Sequence, residues 1–212
     1  MASHPALLAW PAAASDEYGM ALWSAPAVEA ATGGHASIDF EASGVAFDSR
    51  EVGEGDLFVA LKGEQSDGHA YLNQAFAKGA AAAIVDRAID RPHVLVRDTS
   101  SALEGLGIAA RARADAQIVG VTGSAGKTGV KEALFAALDR SSRGKAHRSL
   151  KSYNNHVGVP LSLSRMPART KFWVFEIGMN HPGELSALTR LVAASIAFAF
   201  GRSSVISRIG PL

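Results

Sequence analysis

Gly126-Lys127-Thr128, set in the run GVTGSAGKTGVKEAL from Gly120 to Leu134, is the trio with the most direct chemistry in this sequence. Gly123 and Gly126 let a backbone turn tightly and approach an anion. A helix starting there adds unpaired N–H groups and a positive dipole end, Lys127 brings a cation, and Thr128 offers magnesium a hydroxyl. These are the parts of a phosphate-binding turn. The usual spacing puts a glycine five positions before the glycine of Gly-Lys-Ser/Thr; here that position is Val121, with Gly120 one residue too early. Glu176, closing the apolar run KFWVFEIG, is the second candidate. A carboxylate at the carboxyl end of a buried parallel strand faces the crevice where open α/β sheets bind ligands, and magnesium takes one or two such oxygens besides nucleotide phosphates. The plainer alternatives are a chance Gly-Lys-Thr and a strand-end glutamate paired with a lysine.

The elements around these residues must put them at one sheet edge. AQIVGV reads as a strand running into the glycine turn, and KTGVKEALFAALDR as a helix with Val130, Leu134 and Leu138 on one face. KFWVFEIG has the unbroken apolar character of a strand covered on both sides. Upstream, GVAFDS, GDLFVAL, AAAIVD and HVLVRD read as strands. DGHAYLNQAFAKG reads as a helix with Tyr71, Leu72, Ala75 and Phe76 on one face and Gly79 ending it. SALE, 101–104, has capping-box spacing and opens a helix carrying Leu103, Leu106 and Ala110. The expectation is an α/β chain in two units: a leader at 1–22, an amino-terminal unit at 23–114 and a second unit at 115–212.

Composition narrows the function classes. The chain has 212 residues with 48% hydrophobic content, enough for a real core. Its 21 Lys+Arg nearly balance 20 Asp+Glu, and the basic residues are scattered, so no nucleic-acid stripe or membrane patch is expected. Apolar runs such as AAAAIV fall far short of the roughly 20 residues of a spanning helix. Absence of cysteine excludes disulfides and fits a reducing compartment. In the opening segment no Lys or Arg precedes the apolar stretch and Pro11 interrupts it, so it reads as a disordered leader rather than a signal peptide.

The one-residue departure in the loop is informative. The form Gly120-x-Thr122-Gly123-Ser124-x-Gly126-Lys127-Thr128 resembles the ATP loop of the Mur ligase family. The likeness continues in DSREVGEGDLFVALKGEQSDGHAYLNQAFAKGAAAAIV, similar to the amino-terminal uridine-nucleotide domain of these enzymes. NNHVGVPLSL (Asn154 to Leu163) and EIGMNHPGEL (Glu176 to Leu185) resemble the branch of the family that adds D-alanyl-D-alanine rather than a single amino acid. The likeness covers roughly residues 20–192.

That resemblance implies a small amino-terminal α/β uridine-nucleotide domain followed by an incomplete P-loop, mainly parallel-sheet, ATP-binding domain. It implies a cytoplasmic ligase, monomeric at full length, that uses ATP and Mg2+ to activate the carboxylate of UDP-N-acetylmuramoyl-tripeptide as an acyl phosphate, which the amine of D-alanyl-D-alanine attacks. Lys127 and Glu176 would be catalytic, with Thr128 and Glu176 holding magnesium. ATP would lie against Thr122, Gly123, Ser124, Ala125, Gly126, Lys127, Thr128 and Gly129, with Asn155, Asn180 and His181 nearby. Ser49, Arg50, Lys62, Asp67, Gly68, His69 and Asn154 would contact the UDP substrate. Simpler roles stand beside these: an Asp48–Arg50 surface pair, an Asp67-Gly68 turn with Asp67 as a helix cap, and asparagines that satisfy loop backbone.

Beyond Val192 the expected Pro-Ala-His segment, the carbamylated lysine for a second magnesium and a closing domain are not found; a possible strand, Ser195 to Phe200, is followed by Ser/Arg-rich sequence. A shifted reading frame or premature stop is the expectation there, with catalysis by this chain alone improbable. An unrelated P-loop kinase and a non-catalytic UDP-sugar or nucleotide-binding module remain as alternative readings.

Overall fold

The computed structural model describes residues 21–63, 66–123, 126–149 and 156–176, and the backbone of the strands 196–200 and 205–208. The elements are β1 (Trp23–Ser24), α1 (Ala25–Thr32), β2 (His35–Ala36), β3 (Glu41–Ala42), β4 (Gly44–Ala46) and β5 (Asp56–Val59). A 3-10 turn (Gly68–Tyr71) precedes α2 (Leu72–Ala77), β6 (Ala82–Val85), β7 (His93–Leu95) and α3 (Thr99–Arg113). Then come β8 (Gln117–Gly123), α4 (Lys127–Ser142), β9 (Ala146–Arg148), α5 (Gly158–Ser164), β10 (Phe172–Glu176), β11 (Ile196–Phe200) and β12 (Val205–Arg208).

Two five-stranded sheets result. The first has the order β2-β7-β6-β5-β4, parallel except for β2 against β7. Alternation along its strands sends Leu57 and Val59 to one face, with Ile84 and Val94 against α1 and α3, and Phe58 and Ala60 to the other, with Ala75 of α2. Both faces are covered, so β5 and β6 are buried along their whole length, as their apolar runs require.

The second sheet has the order β12-β11-β8-β10-β9, parallel except for β12. Ile118, Trp173 and Phe175 share a core with Val159 and Leu163 of α5. Val119, Val121 and Val174 pack under Val130, Leu134, Phe135 and Leu138 of α4, the face expected from the helical period. The strand expected over Ser195 to Phe200 is β11, beside β8.

Two local expectations shift. Helix α3 is capped by Asp98, whose side chain accepts the N–H of Ser101 at 2.6 Å, so Ser101 lies inside the first turn instead of capping it. The DGHAYLNQAFAKG helix begins as a 3-10 turn, and Tyr71 is 45% exposed rather than on the buried face. Gly79, at φ 96°, does end it, in the left-handed region where glycine has no Cβ penalty.

The sheets are tied together by α3 against α5. Gly107 permits the close approach, since a Cβ there would lie 3.2 Å from the Cα and the carbonyl oxygen of Pro160. Trp23 Nε1 donates to Ser164 O at 2.8 Å, and the Arg113 guanidinium lies 4.2 Å from the centre of a Trp23 ring. Arg113 also donates to Leu22 O and Met166 O, so Leu22, placed in the leader by sequence, belongs to the packed body. No helix among the described residues is long and apolar enough to cross a membrane.

Candidate functional site

Strand β8 leaves the sheet at Gly123, and α4 begins at Lys127 after Gly126, whose φ of 76° needs a residue without a Cβ. Among the described residues, a Cβ at Gly126 or Gly129 would meet nothing within 4 Å, leaving room over the first turn of α4. Ser124 and Ala125 lie outside the described residues, as do Asn154, Asn155, Asn180 and His181. Lys127 is half-buried and heads the helix.

Glu176 pairs in register with Val121, which sets its carboxylate beside the outgoing loop. It is 4% exposed, and Thr128 Oγ1 donates to its Oε2 at 2.9 Å. Loop hydroxyl and strand-end carboxylate therefore meet, 48 residues apart in sequence. Among the described residues, the Oγ1 of Thr122, on the strand that leads into the loop, is buried without a hydrogen-bond partner, an atom that a polar ligand or water would satisfy. A carboxylate and a hydroxyl are hard oxygen donors, the set magnesium takes when phosphates and water complete its shell. The residues present fit that ion.

Two residues beside the pair escaped the sequence reading. Lys131, one turn beyond Lys127, is 1% exposed and donates to Ser149 O at 3.0 Å. Ser149 Oγ in turn accepts the N–H of Glu176 at 3.3 Å. A signal existed: Lys131 stands four residues before Phe135, on the stripe that α4 buries, where a charge is out of place.

The carboxyl end of the first sheet gathers the other predicted residues into the loops after β4 and β5, beside the loop after β6. Arg50 binds Asp48 through Nε and Nη2, the latter 2.7 Å from Oδ2, with its side chain 80% exposed; the surface pair is what the structure contains. Ser49 is buried and donates to Gln74 Oε1 at 2.7 Å. Lys62 is exposed and bridges to Asp67 in an antiparallel pair that closes the loop between them. Asp67 caps the 3-10 turn through the N–H of His69. That bond first, then Arg87 and the His69 ring, hold its carboxyl well below the usual carboxylate range. His69 is buried between carboxylates, Nδ1 2.6 Å from Asp67 Oδ1 and Nε2 3.1 Å from Asp86 Oδ1. Asp86 and Arg87 were not foreseen, because they reach Asp67 and His69 across 17 to 20 residues of chain. A recess of about 270 Å³ opens beside them between His69, Asn73, Phe76 and Arg91. Another, of about 440 Å³, lies at the opposite end of the second sheet from Glu176, by Gln117 and Phe172, and touches none of the loop residues.

Two family models match the chain. The Mur ligase family, catalytic domain, covers residues 41–142, and the Mur ligase middle domain covers residues 121–200, past Val192 and through β11. The UDP-N-acetylmuramoyl-tripeptide--D-alanyl-D-alanine ligase of Bacillus subtilis (strain 168) is 39% identical over 172 residues, 79% of this chain and 36% of that protein. The ligase of the same name from Escherichia coli (strain K12) is 40% identical over 163 residues, 74% of this chain and 36% of its own length. The chain thus spans little more than a third of the curated relatives it matches. Among solved structures, the UDP-N-acetylmuramoylalanyl-D-glutamyl-2,6-diaminopimelate--D-alanyl-D-alanyl ligase of Acinetobacter baumannii superposes with a TM-score of 0.71 at 33% identity, over 84% of this chain and 41% of that one. The MurF ligase of Thermotoga maritima in complex with ADP gives a TM-score of 0.59 at 31% identity, over 74% of this chain and 38% of that one.

Proposed function

We propose, since this chain belongs to the Mur ligase family, that it carries the nucleotide site and the UDP-substrate unit of an ATP-dependent ligase. The reaction is the addition of D-alanyl-D-alanine to UDP-N-acetylmuramoyl-tripeptide, in peptidoglycan precursor synthesis in the cytoplasm. The observation that carries this reading is the contact of Thr128 with Glu176 at 2.9 Å, at the mouth of a glycine turn that opens a helix.

Residues 23–114 bind the UDP moiety, through Arg50 and Lys62 on loops held by Ser49, Asp67, Gly68 and His69. Residues 115–212 belong to the ATP unit. The tripeptide carboxylate attacks the γ-phosphorus of ATP to give an acyl phosphate and ADP, and the dipeptide amine then displaces phosphate at the acyl carbon. Lys127 and the first N–H groups of α4 stabilise charge on the transferring phosphoryl group. Thr128 and Glu176 would hold magnesium, which when bound would supply charge neutralisation for the phosphate oxygens. Thr122 Oγ1 supplies a further polar contact at the loop, and the family resemblance assigns Asn154, Asn155, Asn180 and His181 to ATP and the substrate carboxylate.

Calorimetry with ADP and magnesium tests the nucleotide site. Lys127→Ala should weaken binding about 10- to 100-fold, the weight of a charge-assisted hydrogen bond; unchanged affinity refutes the site. Phosphate release measured with each substrate omitted separates the readings. Release that needs both the UDP-tripeptide and the dipeptide identifies the ligase. ADP formed without the tripeptide points to another phosphotransferase, and UDP-tripeptide bound with no ADP formed makes the chain a binding module.

A further inference from the structure

Lys131 is a costly residue where it stands. Withdrawing an ammonium from water costs several kcal/mol unless partners repay it, and a leucine or methionine would fill the same stripe of α4 at no such cost. Its partners are specific. Nζ donates to Ser149 O at 3.0 Å and lies 3.5 Å from Glu132 Oε1, and Glu132 is also paired with Arg148 of β9.

Ser149 is 1% exposed and held from two further sides, by its N–H on Val174 O at 3.1 Å and by its hydroxyl, which accepts the N–H of Glu176 at 3.3 Å. From Glu176 the path returns to α4, through Oε2 to Thr128 at 2.9 Å. Lys131, Ser149, Glu176 and Thr128 therefore close a ring that begins and ends on one helix, three residues apart.

We infer that Lys131 is a positioning residue for the magnesium and nucleotide site: by fixing Ser149 it fixes the carboxyl end of β10, and with it the Glu176 carboxylate against Thr128. The inference rests on the nucleotide-site reading. Its physical content is that a group held at two ends, by backbone and by side chain, keeps its carboxylate within the few tenths of an ångström that a small octahedral ion demands.

The test measures ADP affinity of the 212-residue chain by calorimetry, with magnesium and with chelator, for the unmodified chain, Lys131→Met, Ser149→Ala and the double variant. Methionine keeps length and volume while removing the donor. Lys131→Met should cut the gain in affinity that magnesium provides by about tenfold, leaving magnesium-free affinity within about twofold. Ser149→Ala should do the same, and the double variant should be no worse than Lys131→Met, because both act through one path. A folded Lys131→Met chain with an unchanged magnesium gain, or with both affinities lowered equally, overturns the positioning role. If Lys131→Met does not fold, Lys131→Gln, neutral and shorter, takes its place with the same expected loss of magnesium gain, and an unchanged gain overturns the role. An unmodified chain that does not bind ADP overturns the nucleotide reading and this inference together, whereas magnesium-dependent binding that neither variant alters overturns only the inference.

Discussion

Gly68→Ala separates a packed role for the Asp67-Gly68-His69 turn from an ordinary surface turn. A Cβ at Gly68 would lie 2.7 Å from Ala60 C and Leu61 N and 2.8 Å from Leu61 O, all backbone atoms, so no side-chain rotation can relieve the contact. Gly68 is not among the glycines with positive φ, so alanine can adopt its conformation, and restricting the unfolded chain would by itself stabilise by about 0.4–1 kcal/mol. Against this, forcing a methyl into filled space costs about 1–3 kcal/mol. Moving the chain aside also forfeits the bond from Gly68 N to Leu61 O at 2.8 Å, about 1 kcal/mol. The expected net loss is about 2 kcal/mol. Urea denaturation followed by circular dichroism measures it as a lower midpoint at unchanged slope. A variant as stable as the parent, or more so, would refute the argument, since that is how a solvated Asp-Gly turn responds.

Two further outcomes are expected. Arg50→Ala should leave the melting temperature nearly unchanged, its side chain being exposed and paired only at the surface, yet weaken UDP-sugar binding about tenfold as a phosphate contact is lost; equal affinity by calorimetry removes Arg50 from the uridine site. His147 donates through Nε2 to Ser162 O at 3.0 Å, and burial, helped by Arg165 and Arg148, holds its pKa down to about 4 against the usual 6.5. A depressed histidine is neutral in the folded chain while the unfolded chain takes up the proton, so stability present above about pH 6.5 should fall as the pH drops toward about 4. Denaturation at pH 7 and pH 4 should show the parent losing about 3 kcal/mol more than His147→Gln, and parallel losses would contradict the burial argument.

The phosphate loop was legible in the sequence because its chemistry is local: strand, glycine turn, lysine, hydroxyl and helix N-terminus are consecutive from Gln117 to Ser142. Periodicity likewise marked the buried faces of β5, β10 and α4, since burial on one or both faces constrains residue types at fixed intervals. Even the position of Glu176 at a strand end followed from one apolar run. What periodicity names is a face and never a partner. Asp98 rather than Ser101 caps α3, because either spacing suits a cap and only the backbone path selects one. Trp23 bonding to Ser164 across 141 residues, His69 lying between Asp67 and Asp86, and Lys131 reaching Ser149 are set by how helices and strands meet after folding. Such contacts join residues whose types satisfy one another only when brought within about 3 Å, and sequence spacing carries no record of that distance. The sequence by itself determined the α/β order, the loop and its two candidate metal-binding oxygens. Tertiary packing alone decided that Thr128 touches Glu176, that a buried lysine braces them, and that Arg50 lies along Asp48 at the surface.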